Sequence, residues 1–522
     1  MFARVIKARR GYNPRRMNVL APLAVLASFF WMLGLAPLFD VDEGAFSQAT
    51  LEMFQRGDFL STYLNGQPRY DKPILVYWLQ AAAVALLGPT ELAFRLPSAI
   101  SAASWVLLTF LFVRRNYGSE RAFLAASLLA TSLGVTIIGR AATADALLNC
   151  LIAASMFAAW LHLSTGERRW LYATHAAIGL GLLAKGPIAV LVPGAVTFLF
   201  CIFKKDLKTW LRAVFDWRAL LLLLVIAAPW YAVILYKEGW GFVEGFILRH
   251  NVARFGGPMQ GHGGSLLYYF PVLLALTLPF TALLVPVAQR LKAIWRDDLQ
   301  TYLLLWFAFV FVFFSLSGTK LPHYLLYGIT GLVILATLCA AELKTAFWAL
   351  VPAVLLFVFF LLFPQIIEWV IPKINDAYYR EALSNAGAYF SPGYFIFCGA
   401  GLAFLFYAML ERRFAPPPKL AAAGLLTVIA VSSLVAPLLG DVLQAPIKEA
   451  ALLARARNLE PMMWRLNAPS FSVYRGAPTA SREPQPGDVV ITKARRLAEL
   501  PAGTAYEFIY AKNGIVLVRL GK

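Results

Sequence analysis

The run Pro73-Ile74-Leu75-Val76-Tyr77-Trp78-Leu79-Gln80-Ala81-Ala82-Ala83-Val84-Ala85-Leu86-Leu87, closed by Gly88-Pro89, decides how this chain is threaded. It is apolar but only fifteen residues long, about 22 Å as a helix, against a hydrocarbon core of about 30 Å. Upstream, Arg4, Lys7, Arg9, Arg10, Arg15 and Arg16 precede a full-length apolar stretch, Asn18 to Phe39. By the positive-inside rule the N-terminus is then cytoplasmic and Asp40 to Lys72 lies outside. If the fifteen-residue run crossed, Arg114-Arg115, Arg168-Arg169 and Lys204-Lys205 would all fall outside, against that rule. If it lies along the outer interface as an amphipathic or re-entrant helix, those pairs become cytoplasmic, together with Arg290 to Arg296 and Glu411-Arg412-Arg413. The second threading is the one adopted.

Working outward, the chain is 60% hydrophobic and 14% charged, where a soluble domain carries about 25% charged residues. This is the composition of an all-α polytopic membrane protein. About thirteen spans follow, at 18–39, 92–113, 120–139, 146–163, 170–184, 188–203, 219–236, 266–288, 301–317, 324–341, 346–370, 393–410 and 419–438. The first reads as a retained span and not a signal peptide, because it runs into Asp40-Val41-Asp42-Glu43 without a small-residue cleavage pattern. The 47 Lys and Arg against 28 Asp and Glu stand largely at span ends, which assigns them to orientation and not to nucleic acid. Cys150, Cys201, Cys339 and Cys398 sit inside apolar runs, without zinc spacing or a disulfide framework.

Residues 1–17 thus form a basic cytoplasmic N-terminus and 18–439 a transmembrane domain whose first outer loop is 40–91. Residues 440–522 differ in texture. A helical pattern near Ile447 to Asn458, β-like stretches at Phe471–Tyr474, Asp488–Thr492 and Gly514–Val518, and loops at Pro484, Pro486 and Gly487 predict a small outer α/β domain.

This threading gathers polar residues from distant segments on one membrane face. The first outer loop holds Asp42, Glu43, Asp71 and Lys72; later loops hold Asp145, Lys185, Arg254, His262, Lys320 and Tyr324. Ionisable groups at membrane depth are costly and mark functional candidates. The cations suit an interfacial phosphate, and the carboxylates suit proton abstraction or, with His262, metal binding. Each residue also has a plainer role open to it. Lys185 and Lys320 could snorkel, Asp145 could cap the following helix, and Asp42 and Glu43 could complement a helix dipole.

Several ordered motifs resemble a known family. Asp42-Glu43, Gly57-Asp58, Tyr70-Asp71-Lys72-Pro73 and Tyr77-Trp78 are similar to the first outer loop of GT-C glycosyltransferases. The branch is that of the aminoarabinose transferases that modify lipid A and the protein O-mannosyltransferases. Arg95-Leu96-Pro97-Ser98, Leu183-Ala184-Lys185-Gly186-Pro187, His250-Asn251 to Arg254-Phe255 and Phe314 to Tyr327 extend the likeness over about residues 18–330. The resemblance implies the GT-C fold, with thirteen spans and interfacial helices in the first outer loop, in the bacterial inner membrane with a periplasmic site. It implies a polyprenyl-phosphate-linked sugar donor whose phosphate is gripped by Lys72, Lys185, Arg254, Lys320 and Tyr324. Asp42 would orient or deprotonate an acceptor hydroxyl, with Glu43 beside it and Asp145 as the second acidic position, and transfer would invert the anomeric carbon. The acceptor would be lipid A, another glycan or a protein. Some relatives use a divalent metal ion, which makes Asp71 and His262 a candidate ligand pair; no nucleotide cofactor is implied. One departure stands out: the aminoarabinose branch carries Arg-Tyr after the acidic pair, where this chain has Ala45-Phe46. The rival reading is a lipid or solute transporter, which calls for internal repeats with helices interrupted at matching positions. The chain has no clear internal repeat.

Overall fold

The computed structural model of the protein describes residues 14–253 and 263–521. Arg254 and His262, both expected in the site, lie outside the described residues. Eleven helices lead through the first half: α1 (Pro14–Val25), α2 (Asp42–Arg56), α3 (Leu75–Leu87), α4 (Glu91–Tyr117), α5 (Ser119–Thr131), α6 (Leu133–Arg140), α7 (Asp145–Thr165), α8 (Arg168–Ala184), α9 (Ile188–Phe203), α10 (Leu207–Val214) and α11 (Trp217–Glu238).

Among the described residues eight helices are long and apolar enough to cross a membrane: α4, α7, α11, Asp298–Leu316, Pro322–Ala340, Phe347–Lys373, Pro392–Leu410 and Pro416–Leu443. Counting two bent pairs as spans gives ten. The expected thirteen would further need the helix Met17–Phe30, α8 and α9, which are shorter. The chain is a multi-span membrane protein.

The two bent pairs fall at the expected spans 120–139 and 266–288. α5 and α6 meet at 65°, and Tyr269–Leu276 and Thr281–Gln289 meet at 116°. Pro279 has no N–H to continue the second helix, and Ser132 adopts an extended backbone between α5 and α6. The breaks repair one another, since the Leu133 N–H freed at one donates to the Leu278 carbonyl freed at the other, at 2.8 Å. Away from water, backbone groups released by a break need such partners.

α3 holds thirteen residues, about 20 Å of helix, too little to cross alone. Gly88, at φ 73°, ends it ahead of Pro89. Gln80, nearly fully buried, ties it to both neighbours: its amide oxygen accepts from Thr50 of α2 at 2.8 Å and its nitrogen donates to the Phe94 carbonyl of α4 at 3.1 Å. Leu79, Leu86 and Leu87 stay exposed on its other side, as a helix lying against lipid would leave them.

The C-terminal region begins with the helix Ala445–Ala456, as expected. A four-stranded mixed sheet follows in the order β1 (Pro461–Met463), β2 (Val489–Lys493), β4 (Ile515–Leu520), β3 (Tyr506–Lys512). The strand expected over Phe471–Tyr474 is instead part of a helix, Pro469–Arg475. Pro469 sits in its first turn and Gly476, at φ 82°, closes it left-handed. The expectation rested on β-prone side chains, and the flanking start and stop signals outweighed them. This helix lies on α2, so the C-terminal domain rests on the first outer loop.

Candidate functional site

Three carboxylates open the first outer loop, and the fold sends each to a different fate. Asp40 is turned into the contact with the C-terminal domain, where its carboxylate accepts from the Ser470 amide at 2.9 Å and from the Ser470 hydroxyl. Burial, opposed by those hydrogen bonds and reinforced by nearby Glu43, pushes its pKa up to about 7. Glu43 is 4% exposed. It pairs with Arg95 at 2.7 and 2.8 Å and accepts from the Phe39 and Ala142 amides. Arg95 also donates to the carbonyls of Leu33, Ala36 and Pro37. This pair knots together the end of the first span, α2, α4 and the turn after α6. Glu43, expected among the catalytic acids, is therefore engaged on all sides as a positioning residue. Asp42, at the first turn of α2, is exposed.

Asp145 begins α7 and is buried. Its Oδ1 meets Lys185 Nζ at 2.5 Å, the Tyr327 hydroxyl at 3.4 Å and His323 Nε2 at 3.7 Å, and its Oδ2 accepts from Thr143 at 3.3 Å. Lys185 bridges on to the Tyr327 hydroxyl at 2.9 Å and stands 5.8 Å from the Tyr324 ring centroid. It comes from the break between α8 and α9, where Gly186 takes φ 93°. Asp42 and Lys72 both bear electrostatically on His323, as Asp145 does. Among the described residues Asp145, Lys185, His323 and Tyr327 are thus neighbours, with Asp42 and Lys72 in electrostatic reach of them. With α4 and the bent α5–α6 pair as the two crossings between them, Asp42 and Asp145 reach one side only if α3 does not cross.

Lys72 is half-buried, its Nζ donating to the Asp71 carbonyl at 3.0 Å. The preceding Tyr70 hydroxyl donates to Glu238 at 2.8 Å, anchoring this loop to the end of α11. Burial, then Glu238, pushes that phenol up to about 12. Lys320 is buried, with its Nζ on the Ser317 carbonyl at 2.6 Å and its stem beside Gly264. The buried Tyr324 packs on Phe314, Tyr327 and His323. Asp71, expected as a metal ligand, faces Arg69 Nε at 3.5 Å. Among the described residues no group of three His, Cys, Asp or Glu stands close enough to hold a metal ion. Asp145 is paired with Lys185, and the other expected ligand, His262, lies outside the described residues.

Two members of the site had no assigned role in the sequence reading, His323 and Tyr327. Both lie inside the quoted stretch Phe314 to Tyr327, and an ionisable ring two residues from a span's start was the available signal for His323. Ala45 and Phe46 are buried; Phe46 stacks on Tyr77 at 5.3 Å with the Arg69 guanidinium over it at 5.1 Å.

Residues 71–232 match the family model described as dolichyl-phosphate-mannose-protein mannosyltransferase. An uncharacterized protein of Aquifex aeolicus is 30% identical over 305 residues, 58% of this chain and 68% of that one. Undecaprenyl phosphate-alpha-4-amino-4-deoxy-L-arabinose arabinosyl transferase 2 of Pseudomonas fluorescens is 32% identical over 328 residues, 60% of this chain and 55% of that one. The chain therefore spans little more than half the length of that curated relative. The crystal structure of ArnT from Cupriavidus metallidurans bound to undecaprenyl phosphate superposes with a TM-score of 0.83 at 19% identity, covering 97% of this chain and 98% of that one. The likeness includes the bundle, the outer-loop helices and the C-terminal domain, and the fold is the same.

Proposed function

We propose that this chain, which belongs to the GT-C glycosyltransferase superfamily in the branch of the lipid A aminoarabinose transferases and protein O-mannosyltransferases, moves a sugar from a polyprenyl-phosphate donor to an acceptor on the periplasmic face. The observation that carries the reading is the sorting of the three outer-loop acids. Only Asp42 is open, and its charge, like that of Lys72, reaches His323.

In this reading the donor phosphate is held by Lys72, Arg254, Lys320 and the Tyr324 hydroxyl, with Lys185 behind them. The acceptor oxygen attacks the anomeric carbon from the face opposite the phosphate. Its proton passes to Asp42 when the acceptor is a hydroxyl, and the C1–O bond breaks with its electron pair leaving on the polyprenyl phosphate. Configuration inverts. The cations oppose the charge growing on the leaving phosphate, an effect worth about 2–4 kcal/mol per well-aimed group. Asp145 and Lys185 hold each other in register and keep His323 and Tyr327 oriented toward the reacting centre.

The domain limits follow: residues 18–439 form the transferase, with the outer loop 40–91, in the bacterial inner membrane. Residues 440–522 form a periplasmic domain, and the N-terminus is cytoplasmic. Lipid A, another glycan and a protein hydroxyl are all acceptors this site would serve. The burial of Ala45 and Phe46 argues against a donor sugar gripped there as in the Arg-Tyr branch.

The test is transfer by the purified full chain from undecaprenyl-phosphate-linked sugars, comparing wild type with Asp42→Asn and Lys72→Ala. Transfer in wild type and its loss in both variants is the expected result. Transfer retained in both would overturn the site assignment, and lipid translocation without sugar transfer would favour a transporter. A periplasm-specific reporter fused after Lys522 should be active; cytoplasmic activity would overturn the orientation.

A further inference from the structure

We propose that the membrane face opposite the site binds an anionic phospholipid, one of whose acyl chains occupies a cavity roofed by α10. The inference does not depend on the glycosyl-transfer reading. A cavity of about 230 Å³ lies between α7, α8, α9, α10 and α11, lined among others by Ala159, Ile178, Gly194, Trp210 and Leu223. His162, also in its wall, stands seventeen residues beyond Asp145 along α7, about 25 Å from the outer-face site.

The lining is almost wholly apolar. Its histidines are already tied to backbone carbonyls through Nδ1, His162 to Glu167 at 3.1 Å and His175 to Leu171 at 3.0 Å. Water gains few partners in such a space, whereas a hydrocarbon chain loses nothing by entering it. The roof is fastened to the wall: Trp210 Nε1 donates to the Thr197 hydroxyl at 3.1 Å and faces the Gly194 carbonyl at 3.3 Å. At Gly194 an added Cβ would meet nothing within 4 Å, so the wall itself leaves the room.

α10 carries the second observation. Trp210, Ala213 and Val214 turn toward the cavity. At 100° per residue, Leu207 and Leu211 fall on an adjoining strip, and both are exposed, as are Phe215 and Trp217 just beyond. Lys208 and Arg212 occupy the remaining side and are exposed. An apolar strip open to lipid beside a cationic strip is the pattern of a helix lying in a membrane interface. From Lys204 to Arg218 there are five cations, Lys204, Lys205, Lys208, Arg212 and Arg218, against Asp206 and Asp216. The two carboxylates accept from backbone amides at the starts of α10 and α11, and Lys204 pairs with Asp298 at 2.8 Å. The excess charge matches a phosphate headgroup that carries no compensating ammonium, which selects an anionic lipid over a zwitterionic one.

The experiment is native mass spectrometry of the full chain in detergent, titrated with phosphatidylglycerol or with phosphatidylcholine of the same acyl chains. Wild type is expected to retain one phosphatidylglycerol on the order of tenfold more tightly than phosphatidylcholine. The double variant Lys208→Glu/Arg212→Glu should lose that preference. Gly194→Phe, which fills the cavity, should lose the retained lipid of either kind while its lipid-free unfolding temperature matches wild type; Gly194→Leu is the smaller variant should the phenylalanine not fold. Equal affinity of wild type for the two lipids, or retention undiminished by a folded cavity-filling variant, would overturn the proposal.

Discussion

Truncating Glu43 to alanine tests whether it positions the site or reacts in it. In the native chain its carboxylate receives four hydrogen bonds, two from Arg95 and one each from the Phe39 and Ala142 amides. Arg95 is itself 4% exposed. Glu43→Ala leaves that guanidinium charged and buried without its counter-ion and orphans two amide donors. Breaking a buried pair from one side costs about 3–5 kcal/mol, so thermal unfolding should move down by many degrees. Transfer should fall with it, because α2's first turn, which presents Asp42, loses its anchor. The pH dependence of the surviving transfer should keep its shape, since no proton passes through Glu43. Adding Arg95→Met removes the stranded charge and should return part of the stability, with a coupling of about 0.5–3 kcal/mol in the double-mutant cycle. Recovery should be incomplete, because Arg95 also satisfies three carbonyls of the first span's end. A Glu43→Ala protein with wild-type unfolding, a hundredfold loss of transfer and a displaced acidic limb would refute this reasoning and make Glu43 a catalytic residue.

Lys185→Met should strand Asp145 in the same way and cost about 3–5 kcal/mol, with recovery when Asp145→Asn is added; unchanged thermal unfolding of the single variant would dismiss the pair. The Asp40 contact should respond to pH. Its pKa is raised to about 7 from 3.8, so its contribution is fullest below about pH 4 and is lost as pH rises through 7. Amide exchange across Pro469–Arg475, corrected for intrinsic rate, should accordingly be slower at pH 6 than at pH 8, and Asp40→Asn should remove the difference; equal protection at both pH values in wild type would count against it. Transfer should persist in EDTA, because Asp71 is compensated by Arg69 and the phosphate charge is met by lysine and arginine. Loss of transfer in EDTA, restored by magnesium or manganese, would bring Asp71 and His262 back as ligands.

The multi-span character was legible in composition, and the proposed threading rests on a single length: a run of fifteen apolar residues is too short to cross, and the arginine pairs after it then fall on one side. The bend angles were not legible. Pro279 marks a break within 266–288, but nothing local sets its angle of 116°, since a kinked span and a folded-back one bury the same apolar side chains. The compensating contact, Leu133 to Leu278, joins residues 145 apart. The helix Pro469–Arg475 was misread for a local reason, its β-prone side chains, although Pro469 and Gly476 carried the opposite signal. Within the site, the candidates were picked out as ionisable groups in apolar surroundings, and the partners that divide them were not legible. Asp40, Asp42 and Glu43 lie within four positions and look alike in sequence. What separates them is Ser470 and Arg95, partners that come from 430 and 52 residues away.

Those distant partners also tie the first outer loop to the C-terminal domain. The α2 helix that carries Asp42 is held from two directions. Below, Glu43 and Arg95 fasten its first turn to the span ends. Above, Asp40 and Ser470 fasten the residues just before it to the C-terminal domain, while Ser472 meets Asn65 at 2.7 Å and Gln55 meets the Gly476 carbonyl at 3.2 Å farther along the loop. Tyr474 adds a third tie, accepting from the Leu38 amide at 2.7 Å and reaching Glu91 at the start of α4 at 3.1 Å. A short amphipathic helix on a membrane surface has few contacts of its own to fix its height and rotation. Clamped between a buried ion pair and a docked domain, α2 presents one exposed carboxylate to the reacting space and withholds two. In the proposed reading the domain acts on transfer through α2, and loosening its contact should misplace Asp42 before it unfolds the bundle.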